Sequence, residues 1–228
     1  MIKKRRRLNW LINILIFIML ILGLLLVFNE QLKVYSIEQM TSHTMKEMNR
    51  EQIKKAESAK ATYEFDKVKA LSTGTVTMSM ISGYKVPTIG KMSIPSVHMK
   101  LPILKGLDNN NLSLGAGTMK PDQTMGKGNF ALAGHYMTNQ GVLFSPLKNV
   151  GNGDYIYITD LKRVYKYKAY YKKIINKTDV NWVYDSKGET TLTLITCASP
   201  TEGEVDRIMI RAAYQGSGPY DSNSAKLF

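Results

Sequence analysis

Polar and apolar positions divide the 228-residue chain into three unlike stretches. The run Lys3, Lys4, Arg5, Arg6, Arg7 is followed by LNWLINILIFIMLILGLLLVFN, residues 8–29, which holds no charged residue. That is 22 residues, and a helix of about 20 crosses the hydrocarbon core of a bilayer. Asn13 is its clearly polar interior position and Trp10 lies by the basic flank, where an interfacial aromatic belongs. A cleaved signal peptide would show an apolar core of about 7–15 residues and a small-x-small site. VFNEQLK offers none. The pattern predicts a retained signal-anchor over residues 8–29, with residues 1–7 cytoplasmic and the remainder outside the cell.

Residues 30–70 are polar, rich in Glu, Lys, Gln and Met, and the stretch from Glu30 to Lys69 lacks Gly and Pro. Met40, Met45, Met48 and Ile53 recur at roughly helical spacing, but the apolar stripe is thin. A marginal helix or flexible spacer is expected: an extracellular stalk carrying the solvent-exposed His43. From residue 71 to 228 threonine, valine, isoleucine and tyrosine take over. KVPTIGKMSIPSVHMKLPIL supplies two extended runs broken by prolines and glycine. GNFALAGHY, DYIYITD, RVYKYKAYYKKII, TTLTLITC and DRIMIRAAYQ read as strands, and DNNNLSLGAGTM holds room for one short helix. VYKYKAYY and TLTLIT alternate by side-chain type, as half-buried strands do. The fold class is mainly β: a closed barrel of about eight short strands rather than alternating βαβ units.

Composition changes this picture in two places. The net charge of +13 invites a nucleic-acid reading, but no nucleic-acid motif accompanies it. Teichoic acids and anionic lipid head groups are the nearer polyanions for an exported basic protein, and a solvated basic surface is the plainest alternative. The single cysteine, Cys197, excludes an intramolecular disulfide. Zinc-type Cys/His spacings and calcium-type acidic clusters are missing as well.

A cysteine nucleophile needs a proton-handling partner and a donor for the developing oxyanion. Cys197 closes the strand TLTLIT ahead of the loop ASPTEGEVD. A lone cysteine is often an inert small hydrophobe, yet a free thiol at a strand end of an exported protein risks oxidation unless it has a use. His135 ends the apolar strand NFALAG directly after Gly134, and a structural strand-end histidine is its plain alternative. Arg207 opens RIMIR, where a surface ion pair with Asp206 or Glu204 is the default; Arg211 is its nearest competitor. His98 reads as structural or surface.

With these residues the chain resembles the class A sortases. TLITC at Thr193–Cys197 is similar to the sortase nucleophile signature. ALAGH at Ala131–His135, continuing into HYM…GVLFSPL, is similar to the histidine motif. Arg207 stands where the family's arginine opens the next strand. The resemblance runs from about Pro87 to Tyr214. It implies the eight-stranded sortase barrel and cleavage of an LPXTG-like sorting signal between Thr and Gly, through a thioester on Cys197. The protein would then pass to an amine of a lipid-linked peptidoglycan precursor. His135 would move protons and Arg207 would hold the carbonyl or its oxyanion. It further implies Ala133, Ile195, Val180, Trp182 and Val183 in the signal-binding groove, with Thr196 offering a backbone or hydroxyl donor. Some class A sortases bind calcium through acidic loop residues. Here SVHMKLPILKG is basic and apolar, and Ser186 follows Asp185 where a glutamate would be expected. No cofactor is expected, calcium included. A pilin-type sortase would carry an Asp-Pro-aromatic motif, which LSTGTVTMSMISGYKVP lacks. A hydrolysing cysteine peptidase and a non-catalytic membrane-anchored β-domain binding wall polymer or a protein remain the other readings.

Overall fold

The computed structural model describes residues 2–65, 68, 71, 73–81, 86–139, 141–201 and 203–228. Side chains before Asn9 fall outside that description, as does residue 70 at the expected stalk boundary. Helix α1 (Ile2–Val27) contains a 19-residue stretch, Asn9–Val27, long and apolar enough to cross a membrane and buried against nothing in the protein. Helices α2 (Asn29–Glu47), α3 (Arg50–Glu57) and α4 (Thr73–Ile81) follow. Then come β1 (Thr88–Ile94), β2 (Met99–Leu104), α5 (Asn109–Leu112), β3 (Ala116–Thr118), β4 (Asn129–Ala133), β5 (Tyr155–Thr159), β6 (Arg163–Asn176), β7 (Thr191–Cys197) and β8 (Asp206–Pro219). The eight strands close into a barrel, as the strand pattern predicted, and their order is β1-β2-β3-β4-β7-β8-β6-β5.

Turn chemistry explains the tightest corner. Pro95 starts a 3₁₀ turn, Pro95–Val97, between β1 and β2, and His98 closes it with φ of 52° and its N–H on the Pro95 carbonyl. His98 is therefore a turn residue.

Three elements depart from the sequence pattern. The stretch read as a thin-striped stalk is docked on the barrel: Ile37 and Met40 are fully buried, and with Val34 they join the barrel's main core beside Ile103 and Leu114. Thr41 Oγ1 donates to the Leu114 carbonyl at 2.7 Å, and Arg50 Nε to the Leu161 carbonyl at 2.9 Å. Burying Ile37 and Met40 contributes about 1.5–3 kcal/mol each, which outweighs a narrow stripe. α3 begins in a capping box, Asn49 with Gln52, so its start is fixed locally. In the β-branched run TGTVTMSMI, α4 forms because Val76 and Ser79 are buried against neighbours, the Ser79 hydroxyl lying 2.9 Å from that of Ser113. Lastly, β7 is not half-exposed. Leu192 and Leu194 face the barrel interior, while Ile195 joins a second cluster outside it with Ala131, Val183 and Met209. Its threonines are buried as well: Thr191 and Thr193 share the outer face with Ile195, and that face is covered by the loop that Asn129 holds.

Candidate active site

Strand pairing brings the chemistry together. β7 and β8 are antiparallel with Cys197 directly opposite Arg207, a spacing of about 4.5–5.5 Å between Cα atoms. β4 and β7 are parallel with Ala133 beside Ile195. The Gly134 N–H bonds the Ile195 carbonyl at 3.3 Å, and Thr196 Oγ1 donates to the Gly134 carbonyl at 2.8 Å. Two residues past the last paired position, His135 leaves β4 on the same side as Cys197 leaves β7. All three side chains line one cleft of about 660 Å³ on the outer face of β4, β7 and β8.

Gly134 makes the approach possible. A Cβ there would lie 2.6 Å from the Phe144 ring. Phe144 is itself held by its N–H on the His135 carbonyl at 3.0 Å, and Ser145 Oγ accepts from the Met137 N–H at 2.6 Å. The GVLFSPL stretch is thus the brace behind the histidine.

His135 is 8% exposed, and among the described residues its Nε2 has no hydrogen-bond partner. Burial pushes its pKa down to about 4. Burial likewise pushes the Cys197 thiol up, with the Glu204 carboxylate adding to the rise and Arg207 opposing it. At neutral pH the pair therefore rests as thiol and neutral imidazole. Arg207 does not behave as a plain surface ion-pairing residue: Nη1 donates to the backbone carbonyls of Glu204 at 2.7 Å and Asp206 at 3.0 Å, which anchors one edge of the guanidinium. Arg211 instead reaches Glu189 and Thr191, away from the cleft lining.

Of the expected groove residues, Ala133, Ile195, Thr196, Val180 and Val183 line the cleft. Trp182 does not line it. Val180–Val183 forms a 3₁₀ turn in which residues three apart share a face, so Val180 and Val183 face the cleft together and Trp182 turns away. Its ring lies against Tyr171 at 5.8 Å, and Nε1 donates to Asp179 at 3.0 Å. The Thr196 hydroxyl is committed to Gly134 and serves to bind the two strand ends together. Two groups escaped the sequence reading. Glu64, Phe65 and Val68, assigned there to the stalk, line the same cleft. Asn129, fully buried where β4 begins, bonds the loop before β7; its signal was an amide opening an otherwise apolar strand.

Around Asp185 the chemistry is that of an ion pair. Lys120 is bonded to its carboxylate, and that bond, with the Asn129 N–H at 2.9 Å, holds the Asp185 pKa below the usual range. Among the described residues no group of three or more His, Cys, Asp or Glu stands close enough to hold a metal.

A family model described as the sortase domain matches residues 92–215. Sortase A of Listeria monocytogenes is 40% identical over 186 residues, covering 81% of this chain and 83% of the relative. Sortase A of Streptococcus agalactiae is 34% identical over 220 residues, covering 94% and 88%. The solved structure of Listeria monocytogenes sortase A superposes with a TM-score of 0.58 at 38% identity, covering 60% of this chain and 93% of that one.

Proposed function

Because the chain belongs to the sortase family, the cysteine transpeptidases that attach proteins to the cell wall, we propose that it cleaves an LPXTG-like signal between Thr and Gly and passes the acyl group to a peptidoglycan-precursor amine. The observation that carries this reading is the shared cleft, with Cys197 paired across the strands to Arg207 and His135 beside it.

Cys197 Sγ attacks the threonine carbonyl while its proton passes to His135. A histidine kept neutral by burial is able to take it. The N–H donors of Arg207 beyond those bonded to Glu204 and Asp206 receive the carbonyl oxygen as it gains charge, and the guanidinium remains protonated throughout. The imidazolium then returns its proton to the departing glycine amine, leaving a thioester on Cys197. In the second half the incoming amine attacks that thioester, His135 takes the amine proton, and the thiolate leaves and is reprotonated. Ala133, Ile195, Val180 and Val183 give the groove its apolar lining, suited to the signal's Leu-Pro.

On the same reading α1 anchors the protein with residues 1–7 inside and the barrel outside. The ion pair between the Lys120 ammonium and Asp185 supports a turnover without calcium on this reading. Chelation with EDTA should leave the rate unchanged. The binding-only alternative gains no support from the cleft or the relatives.

The deciding experiment incubates the full chain in detergent micelles with an LPXTG peptide and triglycine. Mass spectrometry should find the joined peptide and a thioester on Cys197, and neither in Cys197→Ala. Joined product persisting in that variant would remove Cys197 from the mechanism; hydrolysis without joining would favour a peptidase.

A further inference from the structure

Asn129 is buried to 1% exposure at the first position of β4, beneath the loop that carries the 3₁₀ turn Val180–Val183. Its side chain is saturated on both ends. Oδ1 accepts from the Thr193 hydroxyl at 2.8 Å and the Thr191 hydroxyl at 3.1 Å. The loop carbonyls at the other end can only accept, which fixes that end as Nδ2 and leaves Oδ1 to the two hydroxyls. Nδ2 reaches the carbonyls of Trp182 and Val183 at 2.9 Å each, with Tyr184 at 3.3 Å as a shared third acceptor. The main chain repeats the tether, since the Asn129 N–H bonds Asp185 Oδ1 at 2.9 Å. Next to it Gly128, at φ of 52°, leaves room for that carboxylate; a Cβ there would stand 2.6 Å from Asp185 Oδ2.

The loop so held is one wall of the cleft. Val183 belongs to one buried cluster with Ala131, Ile195 and Met209 of the floor, against which Ala133 packs, and Val180 stands three residues earlier on the same face. The Asn129 amide sits behind this wall and fixes its height above the floor. The geometry points to Asn129 as a positioning residue: it presets the apolar part of the groove before substrate arrives, and so governs binding of the sorting signal more than the chemical step. This deepens the functional reading above and rests on it.

Preorganisation of this kind shows in KM rather than kcat, because the wall contacts the signal's apolar residues and not the scissile bond. The test compares wild type, Asn129→Leu and Asn129→Asp, each as the full chain in detergent micelles. Leucine removes every polar atom while keeping the heavy-atom branching. Aspartate keeps the acceptor for the two threonines and loses the donors to the loop. For an LPXTG peptide, KM should rise about tenfold or more with kcat within about twofold, the scale of one or two neutral hydrogen bonds. Amide exchange across residues 179–185 should quicken about tenfold while β4 and β7 hold their protection. Alkylation of Cys197 by iodoacetamide, which needs no groove, should stay within about twofold.

An unchanged KM with unchanged loop exchange would overturn the proposal. So would kcat, alkylation and KM deteriorating together, which would mean general damage to the fold. Should Asn129→Leu fail to fold, Asn129→Asp and Thr193→Val carry the same comparison. If wild type does not turn over the peptide, the sorting-signal reading fails, while exchange and alkylation still decide whether Asn129 clamps the loop.

Discussion

Replacing His135 by glutamine isolates the energetic consequence of burying an imidazole beside a thiol. Unfolded, the ring titrates near its ordinary 6.5; folded, burial holds it at about 4. Between those values the unfolded chain binds more protons than the folded one, so stability falls as pH falls. The contribution is whole above pH 6.5 and has been lost once pH drops through 4. Each pH step in that window is worth about 1.4 kcal/mol, and about 3 kcal/mol is at stake. Glutamine carries no proton in either state and should lack this component. Asp185, Glu204 and Asp221, whose pKa values are also held low, shed stability on acidification in both proteins and cancel in the difference. Urea unfolding of the full chain in micelles, followed by tyrosine and tryptophan fluorescence from pH 7.5 to 4, gives the two curves. Wild type should lose about 3 kcal/mol more than His135→Gln across that range. Parallel curves would show that the imidazole takes up its proton in place, and the neutral-pair account of the resting site would be wrong.

Other outcomes follow from the same geometry. Arg207→Ala should raise the Cys197 pKa further and slow iodoacetamide alkylation at pH 8 by roughly three- to tenfold, because the one favourable charge is gone. Arg207→Lys, charged but without the fork, should lower kcat about 100-fold or more in the peptide assay. Gly134→Ala drives a methyl into the Phe144 ring and should cost about 1–3 kcal/mol in urea unfolding, with kcat falling as His135 shifts. Met40→Ala leaves a cavity between α2 and the barrel, costing about 2–5 kcal/mol and exposing the α2–α3 junction to limited proteolysis. If α2 were a free spacer, this last substitution would leave both readouts unchanged.

Much of the site was legible because its residues are rare and sit at strand ends. One cysteine, an Ala-Gly-His run and an arginine opening the next strand form a pattern tied to local sequence, and a parallel β4–β7 pair delivers it to one point. The long apolar helix and most strands were equally plain, since an uninterrupted apolar run and period-two alternation are local signals. Trp182 was expected in the groove yet does not line it, because which way a side chain leaves a 3₁₀ turn depends on the turn's rotation, not on its apolar composition. Asn129 escaped because an amide's value lies in partners 54 to 64 residues away, at Val183, Thr191 and Thr193.

The sequence by itself determined the long apolar helix, the closed β-barrel and the order His135, Cys197, Arg207. Tertiary structure alone decided that the helices after the apolar one pack on the barrel, that β7 is buried on both faces, and that Phe65 and Val68 reach the cleft. The physical reason is that burial belongs to surfaces brought together from distant parts of the chain. A thin stripe such as Val34, Ile37 and Met40 is worth little to an isolated helix and several kcal/mol once a complementary core stands opposite it.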